Sequence, residues 1–180
     1  SGNKWFKLKY NFEEAKNNNC KGILSFGGAY SNHLLALACL GKEKGIDTIG
    51  VVRGDELNEQ SNSYLKKMHE FGMKLFFITR DHYKAKNISS LTAKIPDIAG
   101  YFIVEEGGAN NLGIKGSKEI IKPSDEIYNY IICSFGTGTM ALGILEGIQN
   151  FEKKKIKKTS SKKGNNAIKS KINNLHPNCN

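Results

Sequence analysis

Lys4 follows Ser1-Gly2-Asn3, and Gly2 and Asn3 let the backbone come close to a bound group. A lysine amine that reaches a pocket and sheds part of its hydration can attack an aldehyde and hold it as a Schiff base. Taken alone, Lys4 reads as one surface lysine among many, and its neighbourhood changes that reading. Gly27-Gly28-Ala29-Tyr30-Ser31-Asn32-His33 joins an apolar run to a helical pattern. There the backbone N–H groups of Ser31, Asn32 and His33 are expected to lie free at a helix N-terminus, facing the crevice at the strand ends, where a carboxylate or phosphate binds. The same residues also suit a plain strand-to-helix turn with Ser31 as N-cap. Gly136-Thr137-Gly138-Thr139 repeats the arrangement after Tyr130–Ser134, with successive amides and two threonine hydroxyls forming a phosphate nest on a helix dipole.

An amine for an aldehyde and a backbone cradle for a phosphate together suit a pyridoxal-phosphate enzyme. Other chemistries fit less well. Gly136, Gly138 and Ala141 match a dinucleotide fingerprint, but no acidic residue follows Glu152 to hold a ribose, which disfavours a Rossmann dehydrogenase. The turn also lacks the Gly-Lys-Ser/Thr ending of a P-loop. Cys20, Cys39, Cys133 and Cys179 form no C-x-x-C pair, and the four histidines are dispersed, so neither a metal site nor a disulfide framework is expected. Cys39 and Cys133 read as buried thiols. Glu105-Glu106-Gly107-Gly108-Ala109-Asn110-Asn111 either lines the crevice or simply turns the chain.

These groups need a scaffold, and the sequence supplies an alternating one. Apolar runs at 22–26, 47–52, 74–78, 101–104 and 130–134 read as strands, the last of them closing the series. Helical patterns at 32–44, 59–71, 82–94, 113–121 and 139–150 read as crossovers of a parallel α/β fold. A first helix is expected to start near Asn11, which stands three residues before Glu14 as in a capping box, and Gly45 and Gly72 mark helix ends. The helix after Ser31, with Leu34, Leu35, Leu37, Ala38 and Leu40, should be buried.

Charge is unevenly placed. Nine lysines against Glu152 alone put +8 of the formal net charge of +10 into residues 151–180, leaving +2 for the first 150. That lysine-rich tail has no apolar period and is expected to be disordered. Its lysines lack interleaved aromatics, so they offer nucleic acid only a salt-sensitive, unspecific attraction, which argues against it as a partner. No run of about 18 apolar residues and no secretory leader is evident, so a membrane is not expected and the cytoplasm follows by default.

In order, Ser-Gly-Asn-Lys-Trp, Phe-Gly-Gly-Ala-Tyr-Ser-Asn-His, Glu-Gly-Gly-Ala-Asn and Gly-Thr-Gly-Thr make residues 1–150 resemble the 1-aminocyclopropane-1-carboxylate deaminase / D-cysteine desulfhydrase family. The resemblance implies a tryptophan-synthase-β-like α/β fold (fold type II), with parallel sheets and flanking helices. Residues 1–150 would form a partial catalytic region, about 31–105 its smaller subdomain, with the C-terminal part truncated. It implies pyridoxal 5'-phosphate as cofactor, with Lys4 the Schiff-base lysine and Lys7 a phosphate-side lysine. Asn32 would meet the ring hydroxyl, and Gly136, Thr137, Gly138 and Thr139 the phosphate. Ser31, Asn32 and His33 would receive the substrate carboxylate, Ser31 being also the hydroxyl used in proton transfer or attack.

The implied substrate is a small amino acid, 1-aminocyclopropane-1-carboxylate or D-cysteine, giving a 2-oxo acid and ammonia, plus sulfide from D-cysteine. A family-like homodimer is allowed for a complete chain. Phe6 and Met140 depart from the family spelling, and the family's partner for the pyridine nitrogen belongs to a half for which this chain has only its tail. Two competing readings are a serine/threonine dehydratase-like lyase of the same fold and a non-catalytic protein with a basic tail.

Overall fold

The computed structural model describes residues 2–85, 95 and 98–149, and the backbone of 155–160. Helix α1 (Asn3–Asn17) opens the chain after Gly2, whose φ of 49° makes the bend into it. Leu8, Phe12 and Ala15 form its apolar stripe at helical spacing and are all buried. The helix therefore starts eight residues before the expected Asn11. Asn11 is no cap: it lies buried mid-helix, its Nδ2 donating to the Lys7 carbonyl at 2.8 Å. Asn110 donates to its Oδ1 at 2.7 Å. A tertiary partner has absorbed the polar group that looked like a helix start.

Strands β1 (Gly22–Gly28), β2 (Asp47–Arg53), β3 (Lys74–Ile78) and β4 (Tyr101–Val104) form one sheet in the order β3-β2-β1-β4. Every pairing is parallel, with Gly28 opposite Arg53 and Arg53 opposite Ile78. Side chains alternate between two buried faces, as central parallel strands require. Ile23 and Val52 pack with Leu8, Leu34, Leu37 and Met68. On the opposite face Leu24, Phe26, Ile49, Val51 and Tyr83 pack together.

The crossovers are α2 (Asn32–Lys44), α3 (Ser63–Glu70) and a segment that includes α4 (Arg80–Ala85). The rest of the helix expected at 82–94 lies outside the described residues. Ser31 caps α2, its Oγ accepting from Leu34 N at 3.2 Å, and Gly45 ends the helix at φ 64°. The expected burial of α2 holds for Leu34, Leu37, Ala38 and Leu40. Cys39, expected to be buried, is exposed, on the face of α2 opposite Leu37; Cys133 is buried.

After a 3-10 turn at Glu106–Gly108, α5 (Asn111–Lys118) is capped by the Asn110 side chain, which accepts from Gly113 N at 2.8 Å. It packs on α1 so closely that a Cβ at Gly116 would lie 1.8 Å from the Phe6 carbonyl oxygen. Then β5 (Tyr130–Phe135) leads into α6 (Thr139–Ile148), and Cys133, Ala141 and Ile144 share a small core.

Within the tail, one stretch departs from the expected disorder. Lys155–Ser160 forms β6, parallel to β5 from Tyr130↔Lys155 to Phe135↔Ser160, so Tyr130–Phe135 is not the last strand. Backbone pairing needs no apolar side chains. Residues 151–154 and 161–180 lie outside the described residues. Among the described residues no helix is long and apolar enough to cross a membrane.

Candidate active site

Four segments meet at one cavity of about 410 Å³: the first turn of α1, the β1–α2 loop, the Glu106–Gly108 turn and the β5–α6 turn. The parallel sheet makes this meeting possible, since the loop after β1 opens at the strand ends where α2 begins. Of the residues singled out from the sequence, Lys4, Lys7, Ser31, Asn32 and His33 line it, as do Gly136, Thr137 and Gly138. Thr139 lies just behind, 1% exposed, its Oγ1 3.0 Å from the Thr137 Oγ1.

Lys4 and Lys7 stand three residues apart on one face of α1. Lys7 is buried, and its Nζ donates to the Gly107 carbonyl at 3.2 Å. Burial, and next the charge of Lys4, pull the Lys7 ammonium down to about 8. Partial burial also lowers Lys4, whose Nζ meets only the Asn3 Oδ1 among the described residues, at a long 3.4 Å. An amine with a lowered pKa and one weak partner is suited to nucleophilic attack on a carbonyl.

The N-terminus of α2 differs in part from expectation. The Ser31 N–H is not free: it donates to the Gly28 carbonyl at 3.0 Å, which closes the turn. That leaves the Asn32 and His33 amides in the helix's first turn, where no intrahelical carbonyl is available to them. The Asn32 side chain is exposed at the cavity mouth.

His33 is 3% exposed, and its Nε2 sits 2.8 Å from the Ser25 Oγ. Ser25 spends its proton on the Val104 carbonyl at 2.7 Å, so its oxygen accepts, and Nε2 carries the hydrogen. Nδ1 is then a bare lone pair with no partner among the described residues. Burial first, then the nearby Lys7 and Lys4, push the imidazole down to about 3. A neutral ring brings no positive charge to an anion; His33 offers one a hydrogen bond from its backbone N–H.

At the second glycine turn, Gly138 adopts φ 82° and leaves α6 with no side-chain cap. The first-turn amides of α6 are therefore open beside the two threonine hydroxyls, which makes an anion cradle. Gly138→Ala should cost about 1–2 kcal/mol through left-handed strain and crowd Phe135, 3.1 Å from the added carbon. Thermal unfolding measures that cost, and the stabilisation given by inorganic phosphate should shrink in the same variant.

Sequence reasoning missed Ser25. Ser25 orients His33, and a lone serine inside the apolar run Gly22–Phe26 was the available signal. For the Glu105–Asn111 segment the favoured reading is a mere turn, yet its Glu106 and Gly107 line the cavity.

No family model matches the chain. A protein of Thermotoga maritima named "Putative 1-aminocyclopropane-1-carboxylate deaminase" is 26% identical over 160 residues, 84% of this chain and 51% of that protein. A protein of the same name from Pyrococcus horikoshii is 26% identical over 82% of this chain and 46% of its own length. The chain thus spans about half the length of the curated relatives it matches.

Among solved structures, an ACC deaminase homologue superposes with TM-score 0.76 at 19% identity, covering 97% of this chain and 55% of that one. A pyridoxal 5'-phosphate-dependent aspartate racemase gives 0.67 at 18%, over 87% and 45%. A hydrogen sulfide-producing enzyme of Fusobacterium nucleatum gives 0.60 at 17%, over 83% and 49%. The chain has the α/β fold of these fold type II enzymes, and its sequence likeness is to proteins named as ACC deaminases.

Proposed function

We propose that this chain carries the cofactor-holding part of a pyridoxal-phosphate enzyme of the ACC deaminase / D-cysteine desulfhydrase kind. Its substrate would be a small amino acid, converted to a 2-oxo acid and ammonia, with sulfide released from D-cysteine. The observation that carries this reading is the convergence, from sequence positions more than 130 apart, of a desolvated lysine and an uncapped glycine-threonine turn on one cavity.

The residues fit the group. The α6 amides with Thr137 and Thr139 would hold the phosphate, Lys4 would bind the aldehyde carbon, and Asn32 would meet the ring hydroxyl. Lys7, fixed on the Gly107 carbonyl, adds positive charge beside the phosphate. Bound there, the cofactor supplies an electron sink for charge left on the substrate's α-carbon. The chain's own groups do the rest. The Asn32 and His33 amides orient the substrate carboxylate. The Ser31 oxygen is engaged with Leu34 N, but its proton remains available for donation. The Lys4 amine, when free, would take up or return a proton.

Titrating the chain with pyridoxal 5'-phosphate should produce the visible absorbance of a lysine-bound cofactor, and Lys4→Ala should abolish it. Folded protein without that absorbance would end the proposal. Substrate choice is read by assaying D-cysteine, 1-aminocyclopropane-1-carboxylate and L-serine side by side; a preference for L-serine would favour the dehydratase-like alternative.

A further inference from the structure

A second cavity, of about 710 Å³, opens at the C-terminal ends of β1 and β2 and the start of α4. Parallel α/β sheets bind ligands along that edge. Its walls carry three cations, Arg53, Arg80 and Lys84, against two carboxylates, Glu56 and Glu106. Both carboxylates are engaged. Glu56 pairs with Arg80 at 2.6 Å, and Glu106 faces Tyr83, whose hydroxyl is raised by burial and then by the Glu106 charge.

Arg53 and Lys84 carry the excess charge, since among the described residues neither has a carboxylate within ion-pair distance. The register of the sheet puts Arg53 at the end of β2, opposite Gly28, where the β1–α2 loop begins. Its guanidinium lies over the ring of buried Tyr83, 5.6 Å from the centroid, which steadies the group without neutralising it. Its planar fork of donors stays available to an oxyanion.

Tyr30, in the β1–α2 loop, adds a different kind of surface to the same cavity. Its side chain is 69% exposed, and its ring meets Tyr64 in a T-shaped contact, with centroids 5.7 Å apart and planes at 70°. Such a contact occupies at most one face of the Tyr30 ring, so the other is open to a planar group. An inorganic phosphate alone would fill only a small part of the cavity.

We propose that this cavity binds a nucleoside phosphate, with Arg53 and Lys84 on the phosphate oxygens and the base stacked on Tyr30. Arginine suits phosphate because its fork makes two parallel bonds, and a tyrosine ring stacks on any base, so the ligand class follows without a preferred base. Neither Lys4 nor Lys7 nor the β5–α6 turn lines this cavity, and the inference does not rest on the proposed function.

Calorimetric titration of the 180-residue chain compares ADP, adenosine and inorganic diphosphate. ADP should bind about tenfold more tightly than either of the other two. Arg53→Gln should weaken ADP about tenfold and leave adenosine unchanged, whereas Tyr30→Ala should weaken ADP and adenosine alike and leave diphosphate unchanged. Both side chains are exposed, so neither substitution empties the core. Saturating pyridoxal 5'-phosphate should not alter the affinity for ADP. An ADP affinity no better than that of diphosphate overturns the inference, as does one that survives either substitution. Displacement of ADP by pyridoxal 5'-phosphate also overturns it, because the nucleotide would then occupy the α6 cradle. Failure of the cofactor to bind at Lys4 strikes at the proposed function alone, since ADP binding is measured on the cofactor-free chain as well.

Discussion

Gly116→Ala should destabilise the fold by about 2 kcal/mol net, and it should weaken cofactor binding from a distance. The added carbon would lie 1.8 Å from the Phe6 carbonyl oxygen and 2.8 Å from its carbon. Both are backbone atoms of α1, so no flexible side chain can swing away. Overpacking costs about 1–3 kcal/mol, and a clash this close with backbone lies at the upper end, about 3 kcal/mol. The helix propensity gained by replacing glycine returns about 1 kcal/mol at most. The clash is resolved only by moving α1 off α5, and α1 carries Lys4 and Lys7 into the site. Urea denaturation gives the stability, and a cofactor titration of the same variant gives the second effect. Unchanged stability with unchanged affinity would show that the α1–α5 contact does not position the lysines.

Acidification should unfold the protein through His33. In the folded chain the imidazole titrates at about 3, against an ordinary value of 6.5. Between those two values the unfolded chain binds a proton that the folded chain refuses. Stability from this group is therefore complete above pH 6.5 and falls as pH drops toward 3, by up to about 1.4 kcal/mol per pH unit. His33→Gln retains an N–H for the Ser25 oxygen and has nothing to titrate. Its stability curve should be flatter than wild type by that slope between pH 6 and 4, while carboxylates contribute equally to both proteins. Parallel curves would mean that His33 is protonated when folded and that Nδ1 has a partner.

How much of this was legible in the sequence follows from where each signal resides. The site residues stood out because their glycine turns are spelled in order, and parallel strands bring successive strand ends to one edge. The start of α1 did not stand out, since Asn11 carries a cap's composition while its actual partner is Asn110, 99 residues away. The Ser31 amide looked free because its acceptor, the Gly28 carbonyl, exists only once the turn closes. Cys39 sits in an apolar run that conceals which face of α2 is outermost. Lysines hid β6, since its composition carries no strand signal while its backbone pairs with β5. Arg53 reads in sequence as the charged end of a strand; only the register beside Gly28 turns it toward a cavity.

The central claim is that Lys4 is the covalent anchor for pyridoxal 5'-phosphate. Mixing the chain with the cofactor, reducing with borohydride and mapping the pyridoxyl mass by peptide mass spectrometry tests it directly. The account predicts one stoichiometric label on Lys4, with Lys7 unmodified three residues away. A label on Lys7, or label spread thinly over the lysines of residues 151–180, would contradict it.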